Sequence, residues 1–241
     1  MNEIPKRAKM FIVAVMLMAA AVSVYAIGTR MPAESKEFLV IMAMAVVAAR
    51  LKLTLPGFES NMSMNLPFIL LAISTLSLPE AIAVGAASTF VQTLPRSGQT
   101  VTPTQAVFNV CNMVNAIAIA SVATGRATQF AALNKPFLIA AAALAFFLAD
   151  TVPVAAIISM TSPTKLVDCW SSMALMTFPY FVLSAGLACL VGTGFQVIGW
   201  TAGTVALVVM LGVYFCFRFY FEGAKNTLKL DSPVRQAVAA D

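Results

Sequence analysis

From Met10 to Ile27 the chain carries no charged side chain, and apolar runs of similar character recur almost to its end. A helix of about 20 apolar residues crosses the roughly 30 Å hydrocarbon core of a bilayer. Such runs constrain the fold more than any motif does, because in lipid every backbone N–H and C=O has to be satisfied within the protein. With 60% hydrophobic and 10% charged residues among 241, and a mean hydropathy of +0.89, the chain is too apolar for a soluble domain of its length. The reading is an all-α, polytopic transmembrane helical bundle with the lipid bilayer as its solvent. Residues 1–222 form the integral membrane domain, and 223–241 a flexible cytoplasmic tail too short to fold alone.

About eight apolar segments are expected, two of them short or re-entrant. The first follows Lys6, Arg7 and Lys9. Val24-Tyr25-Ala26 resembles a signal-peptide cleavage site, but the run exceeds an h-region of about 7 to 15 residues, which favours an uncleaved span. A second segment covers about Ala33 to Ala49. Arg50 to Gln92 then organises the middle of the chain. Arg50 to Leu55 and Ser60 to Asn65 alternate apolar and polar about the turn dipeptide Pro56-Gly57, which reads as an interfacial β-hairpin or extended loop. Leu66 to Leu78 gives only about 20 Å of helix, so with the segment to Leu94 it forms either a short span or a re-entrant hairpin tipped by Pro79-Glu80. Glu80 there is expected to stabilise the start of the second helix. Four further segments follow: Pro103 to about Ala123, Phe137 to Met160, Ala174 to Val191 and Ile198 to Phe217.

The basic residues orient the bundle. With the N-terminus cytoplasmic, Lys6, Arg7, Lys9, Arg50, Lys52, Arg96, Lys165, Arg218, Lys225, Lys229 and Arg235 lie inside, against Arg30, Lys36, Arg126 and Lys135 outside. This bias places both termini in the cytoplasm and predicts a multi-pass plasma-membrane protein. Trp170, Trp200, Tyr214 and Tyr220 fall near segment ends, as an aromatic belt would have them. The positive net charge is dispersed over segment ends rather than gathered on a face, so no nucleic-acid partner is expected.

Histidine is absent, which removes the commonest metal ligand and general base. Cys111, Cys169, Cys189 and Cys216 show no metal-ligand spacing and read as small buried apolar residues. No Ser/His/Asp set, phosphate loop or paired-carboxylate site is present, and no catalytic residue, metal or cofactor is expected.

Ligand chemistry is instead sought among the polar residues in apolar segments. Gln105, Asn109, Asn112 and Asn115 recur at steps of four, three and three, which puts them on one helix face turned into the bundle. They serve either as inter-helix hydrogen bonds or as the lining of a polar pocket. Asp150 stands near the middle of its segment, where a carboxylate costs at least about 2.5 to 3.5 kcal/mol unless protonated, paired or hydrated. Pro153 lacks the N–H that would bond the Ala149 carbonyl, so a kink is expected beside it. Asp150 is either neutral and bonded to the Asn109/Asn112 face or part of a ligand site. Tyr180, following Pro179, is expected to line the same cavity. The candidate ligand-binding residues are thus Asn109, Asn112, Asp150 and Tyr180.

Leu53-Thr54-Leu55-Pro56-Gly57 with Ser63-Met64-Asn65, Ser77-Leu78-Pro79-Glu80, Thr104 to Val110, Thr151-Val152-Pro153-Val154 and Phe178-Pro179-Tyr180 together resemble the N-terminal integral-membrane region of bacterial HD-GYP and GGDEF signalling proteins. In that family a signalling helix and a cyclic-dinucleotide enzyme domain follow. Here only a short tail follows Phe221, and an HD domain needs histidine. The resemblance therefore implies a non-enzymatic, sensor-like membrane module without its output domain, with a membrane or cytoplasmic signalling partner and a small-molecule ligand. The layout also looks like the substrate-binding subunits of energy-coupling-factor vitamin transporters, with Ala45-x-x-x-Ala49 nearest to their docking motif. A small-molecule uptake component is thus the first alternative, and a structural anchor or assembly partner the second.

Overall fold

The computed structural model describes residues 5–29, 36–54, 61–94, 102–129 and 135–198, with separate helical residues between 205 and 219. Seven helices and two short strands follow in order: α1 (Lys6–Gly28), α2 (Lys36–Ala48), β1 (Lys52–Thr54), β2 (Asn61–Ser63), α3 (Leu66–Thr75), α4 (Leu78–Thr93), α5 (Pro103–Gln129), α6 (Lys135–Thr161) and α7 (Leu166–Ile198). The expected Pro56-Gly57 turn, half of the Ile198 to Phe217 segment and the 223–241 tail lie outside the described residues.

Four of these helices are long and apolar enough to cross a membrane: α1, α5, α6 and α7. The count of eight apolar segments is therefore not reproduced as eight spans. α2 has 13 residues, about 20 Å, and α3 has 10, about 15 Å, both shorter than the hydrocarbon core. Leu17, Leu144, Leu175 and Leu190 are all more than half exposed on the outer surface, while Asn112, Asn115 and Ser88 are buried. An apolar exterior over a partly polar interior suits a bilayer, where polar side chains find partners inside the bundle.

α3 is the centre of the packing. Every residue from Leu66 to Ile73 is buried, and the helix is flanked by α2, α4, α5, α6 and α7. This enclosure covers the apolar body of a helix too short to span, leaving only Ser74 and Thr75 at its C-terminal end exposed. Pro67 stands in its first turn, where a missing N–H removes no helical bond. The break before α4 is held by a capping box: the Ser77 N–H donates to Glu80 Oε2 at 3.0 Å, and Ser77 Oγ donates to the same oxygen at 2.6 Å. Glu80 thus serves the start of α4. Asn65, just ahead of α3, donates through Nδ2 to Ser88 Oγ at 3.2 Å, in the C-terminal half of α4. α4 therefore brings the chain back beside the start of α3.

β1 and β2 pair antiparallel, with Lys52 opposite Ser63 and Thr54 opposite Asn61. Lys52 Nζ donates to the Leu94 carbonyl at 3.0 Å, which places a cation on the C-terminal end of α4. The strand pair, the end of α4 and the start of α3 thus gather at one end of the bundle.

α6 runs through Pro153, and α7 through Pro179, as continuous helices. Their seam is aromatic: Phe147 meets Phe181 edge-on at 4.8 Å between centroids and Phe178 at 5.7 Å. α4 and α5 approach closely at Gly85, where a Cβ would collide with the Ile117 side chain.

Candidate functional site

The α5 asparagines diverge instead of forming one polar face. Successive steps of three residues turn about 300° each, so the direction drifts by about 60° per step and Asn109 and Asn115 end some 120° apart. Asn112 faces α6, donating through Nδ2 to Asp150 Oδ1 at 2.9 Å and to the Asp150 carbonyl at 3.0 Å. Asn115 faces α1, donating to the Val15 carbonyl at 3.0 Å. Gln105 does not point into the bundle: it is exposed and closes a capping box, accepting at Oε1 from the Thr102 N–H at 3.1 Å while its own N–H donates to Thr102 Oγ1. The first turn of α5 has backbone donors to satisfy, and this local demand holds Gln105 away from the other amides.

Asp150 has one described partner, Asn112, through Oδ1 and its backbone carbonyl; no described residue donates to Oδ2. At the next position of α6, Thr151 Oγ1 donates to the Phe147 carbonyl at 2.6 Å and accepts from Trp170 Nε1 at 3.1 Å. That second bond ties the start of α7 to the level of Asp150. Tyr180 is buried and donates through Oη to the Ser63 carbonyl at 2.8 Å. Ser63 Oγ donates to Asn65 Oδ1 at 2.9 Å. The junction of β2 and α3 is thereby fastened to both α7 and α4.

These groups border a half-open cavity of about 210 Å³. Asn109, Asn112, Asp150 and Tyr180 all border it, Asn109 as the most exposed of the four. Its other polar walls were not among the candidate ligand-binding residues: Ser63, Asn65, Thr89, Gln92, Thr151 and Thr177. Thr89 and Gln92 stand three apart near the end of an otherwise apolar α4, a spacing that gives a common face and was available as a signal. Ser63 and Asn65 adjoin a buried apolar helix, but nothing local predicts their meeting with Tyr180. Phe146, Phe181, Met113, Met173 and Met176 complete the apolar walls.

No family model, curated protein or solved structure matches this chain.

The cavity therefore has to be read from its own chemistry. Among the described residues, Asp150 is the one charged side chain in its lining. No described residue donates to its Oδ2, and buried polar groups in folded proteins are nearly always bonded, to protein or to ordered water, so an open acceptor beside a cavity marks a place for a polar guest. The volume holds about seven waters at roughly 30 Å³ each and falls below the 300 to 1,000 Å³ usual for drug-sized ligands. The arrangement offers acceptors and adaptable apolar walls to a small molecule.

Proposed function

We propose that this chain is a non-catalytic, multi-pass membrane module of the sensor type that binds a small molecule in the cavity bounded by Asn109, Asn112, Asp150 and Tyr180. The observation that carries this reading is the incomplete satisfaction of the cavity wall: Asp150 meets Asn112 through Oδ1, and no described residue donates to Oδ2. A polar seam serving only to pair helices would close its bonds internally. The resemblance to the membrane region of bacterial signalling proteins agrees with a sensing role in the bacterial inner membrane, coupled to a signalling partner.

The level of the cavity bears on which side the ligand comes from. Its lining is drawn from the start of α3, the C-terminal half of α4, the N-terminal halves of α5 and α7 and the C-terminal half of α6. If the basic residues set the orientation, the end that carries Lys52 and Lys165 is the cytoplasmic one, and both chain termini are cytoplasmic. That orientation supports a ligand drawn from the cytoplasm and so favours sensing over uptake. One feature favours transport: a short, enclosed helix beginning at a polar site is the arrangement by which many transporters hold substrate near mid-membrane.

Native mass spectrometry of the full chain, purified gently from its own membranes, separates the readings. A small molecule retained without ATPase subunits is the expected result. Copurification of an ATPase pair with a second membrane subunit would move the assignment to an uptake component. A bare chain carrying lipid alone would leave a structural anchor and end the pocket reading.

A further inference from the structure

The cavity's charge and bonding pattern constrain the class of its guest, and this step rests on the reading of the cavity as a ligand site. Among the described residues, the lining contains one carboxylate and no lysine or arginine to offset it, and the chain has no histidine. Asp150 Oδ2 is met by no described donor. An anion would find no described cation. Of the N–H groups that open α3, Phe68 and Ile69 are committed to the Asn65 carbonyl and Pro67 has none, so the positive end of this helix dipole has few hydrogen-bond donors to present. The C-terminal half of α4, whose end carries the negative pole, supplies Thr89.

The remaining wall is apolar and includes two phenyl rings, Phe146 and Phe181, which offer faces that attract cations as well as apolar surface. Three methionines adapt that surface to an irregular body. A bare metal ion would want more oxygen donors than one carboxylate, and among the described residues no group of three metal-ligating side chains occurs. We infer that the cavity takes a small organic ammonium with a compact apolar body, its charged head on Asp150 Oδ2 and its body against the Phe and Met wall. An ammonium N–H donates to Asp150 Oδ2, supplying the bond that no described residue makes there.

The test uses the full chain in lipid nanodiscs and three probes of nearly one shape: 2-phenylethylammonium, 2-phenylethanol and phenylacetate. Binding is followed by calorimetry and by Trp170 fluorescence, since the indole is bonded to Thr151 in the cavity wall. A charged hydrogen bond in place of a neutral one predicts that the ammonium binds at least about tenfold tighter than the alcohol, with the carboxylate weakest. In Asp150→Asn the ammonium should lose that advantage while the alcohol keeps its affinity. If alcohol and ammonium bind equally, or the carboxylate binds best, the cation assignment falls and the ligand-site reading stands. If none of the probes binds at millimolar concentration, the ligand-site reading itself is overturned. The comparison among probes on the unaltered protein decides the assignment even if Asp150→Asn fails to fold.

Discussion

Asp150 and Asn112 form the bond on which the interior is arranged, and its worth is measurable. Hydrogen bonds between membrane helices contribute about 0.6 to 2 kcal/mol, because partners are also found in the unfolded chain within the bilayer. A double-mutant cycle with Asn112→Ala and Asp150→Ala, read by reversible unfolding in detergent micelles, is expected to give a coupling in that range; additive effects would show that the 2.9 Å contact is not made. Tyr180→Phe keeps the ring and removes the hydroxyl that donates to the Ser63 carbonyl, at an expected loss of roughly 1 to 3 kcal/mol in the same assay. At this scale Asp150 was legible in the sequence because a carboxylate inside an apolar segment demands a reason. The partnership of Tyr180 with Ser63, 117 residues away, was not, since no local rule carries contacts over that distance. Gln105 was misread for the opposite reason: its spacing matched a face, but capping a nearby N–H is a more local demand than facing the bundle.

Among the elements, α3 and α4 set the others in place, and Gly85 fixes how closely α4 and α5 approach. A methyl group there meets Ile117, which is fully buried, and Met113 Cγ at 3.2 Å. Gly85→Ala is therefore expected to destabilise the protein by about 1 to 3 kcal/mol through overpacking, with the unfolding midpoint as the readout. An unchanged midpoint would mean that α4 and α5 stand further apart. Ser77→Ala removes the box that starts α4 and should cost about 0.5 to 2 kcal/mol. The long spans were legible because length and unbroken hydropathy suffice to mark a membrane helix. The short ones were only half legible: Pro79-Glu80 announced a joint, but that α3 is enclosed on all sides depends on five other helices, which periodicity in a uniformly apolar stretch cannot reveal.

For the whole molecule, the shared end of the bundle gives a topological expectation. Cysteines introduced at Thr102 and Thr164, in a background without the native four, should react alike with an impermeant maleimide on intact cells, because α5 begins and α6 ends at one level. The charge bias further predicts that both stay protected while Gly28→Cys and Gly125→Cys label. The cavity lies at that protected end, and the account depends on its holding a guest. The most direct measurement compares ligand retention by the natural chain and by Thr89→Phe, which fills the cavity from α4, using native mass spectrometry with circular dichroism melts to verify equal folding. A small molecule on the natural chain and none on the folded variant is the expected result. Equal retention by both would contradict this account of the cavity, as would a bare chain in each.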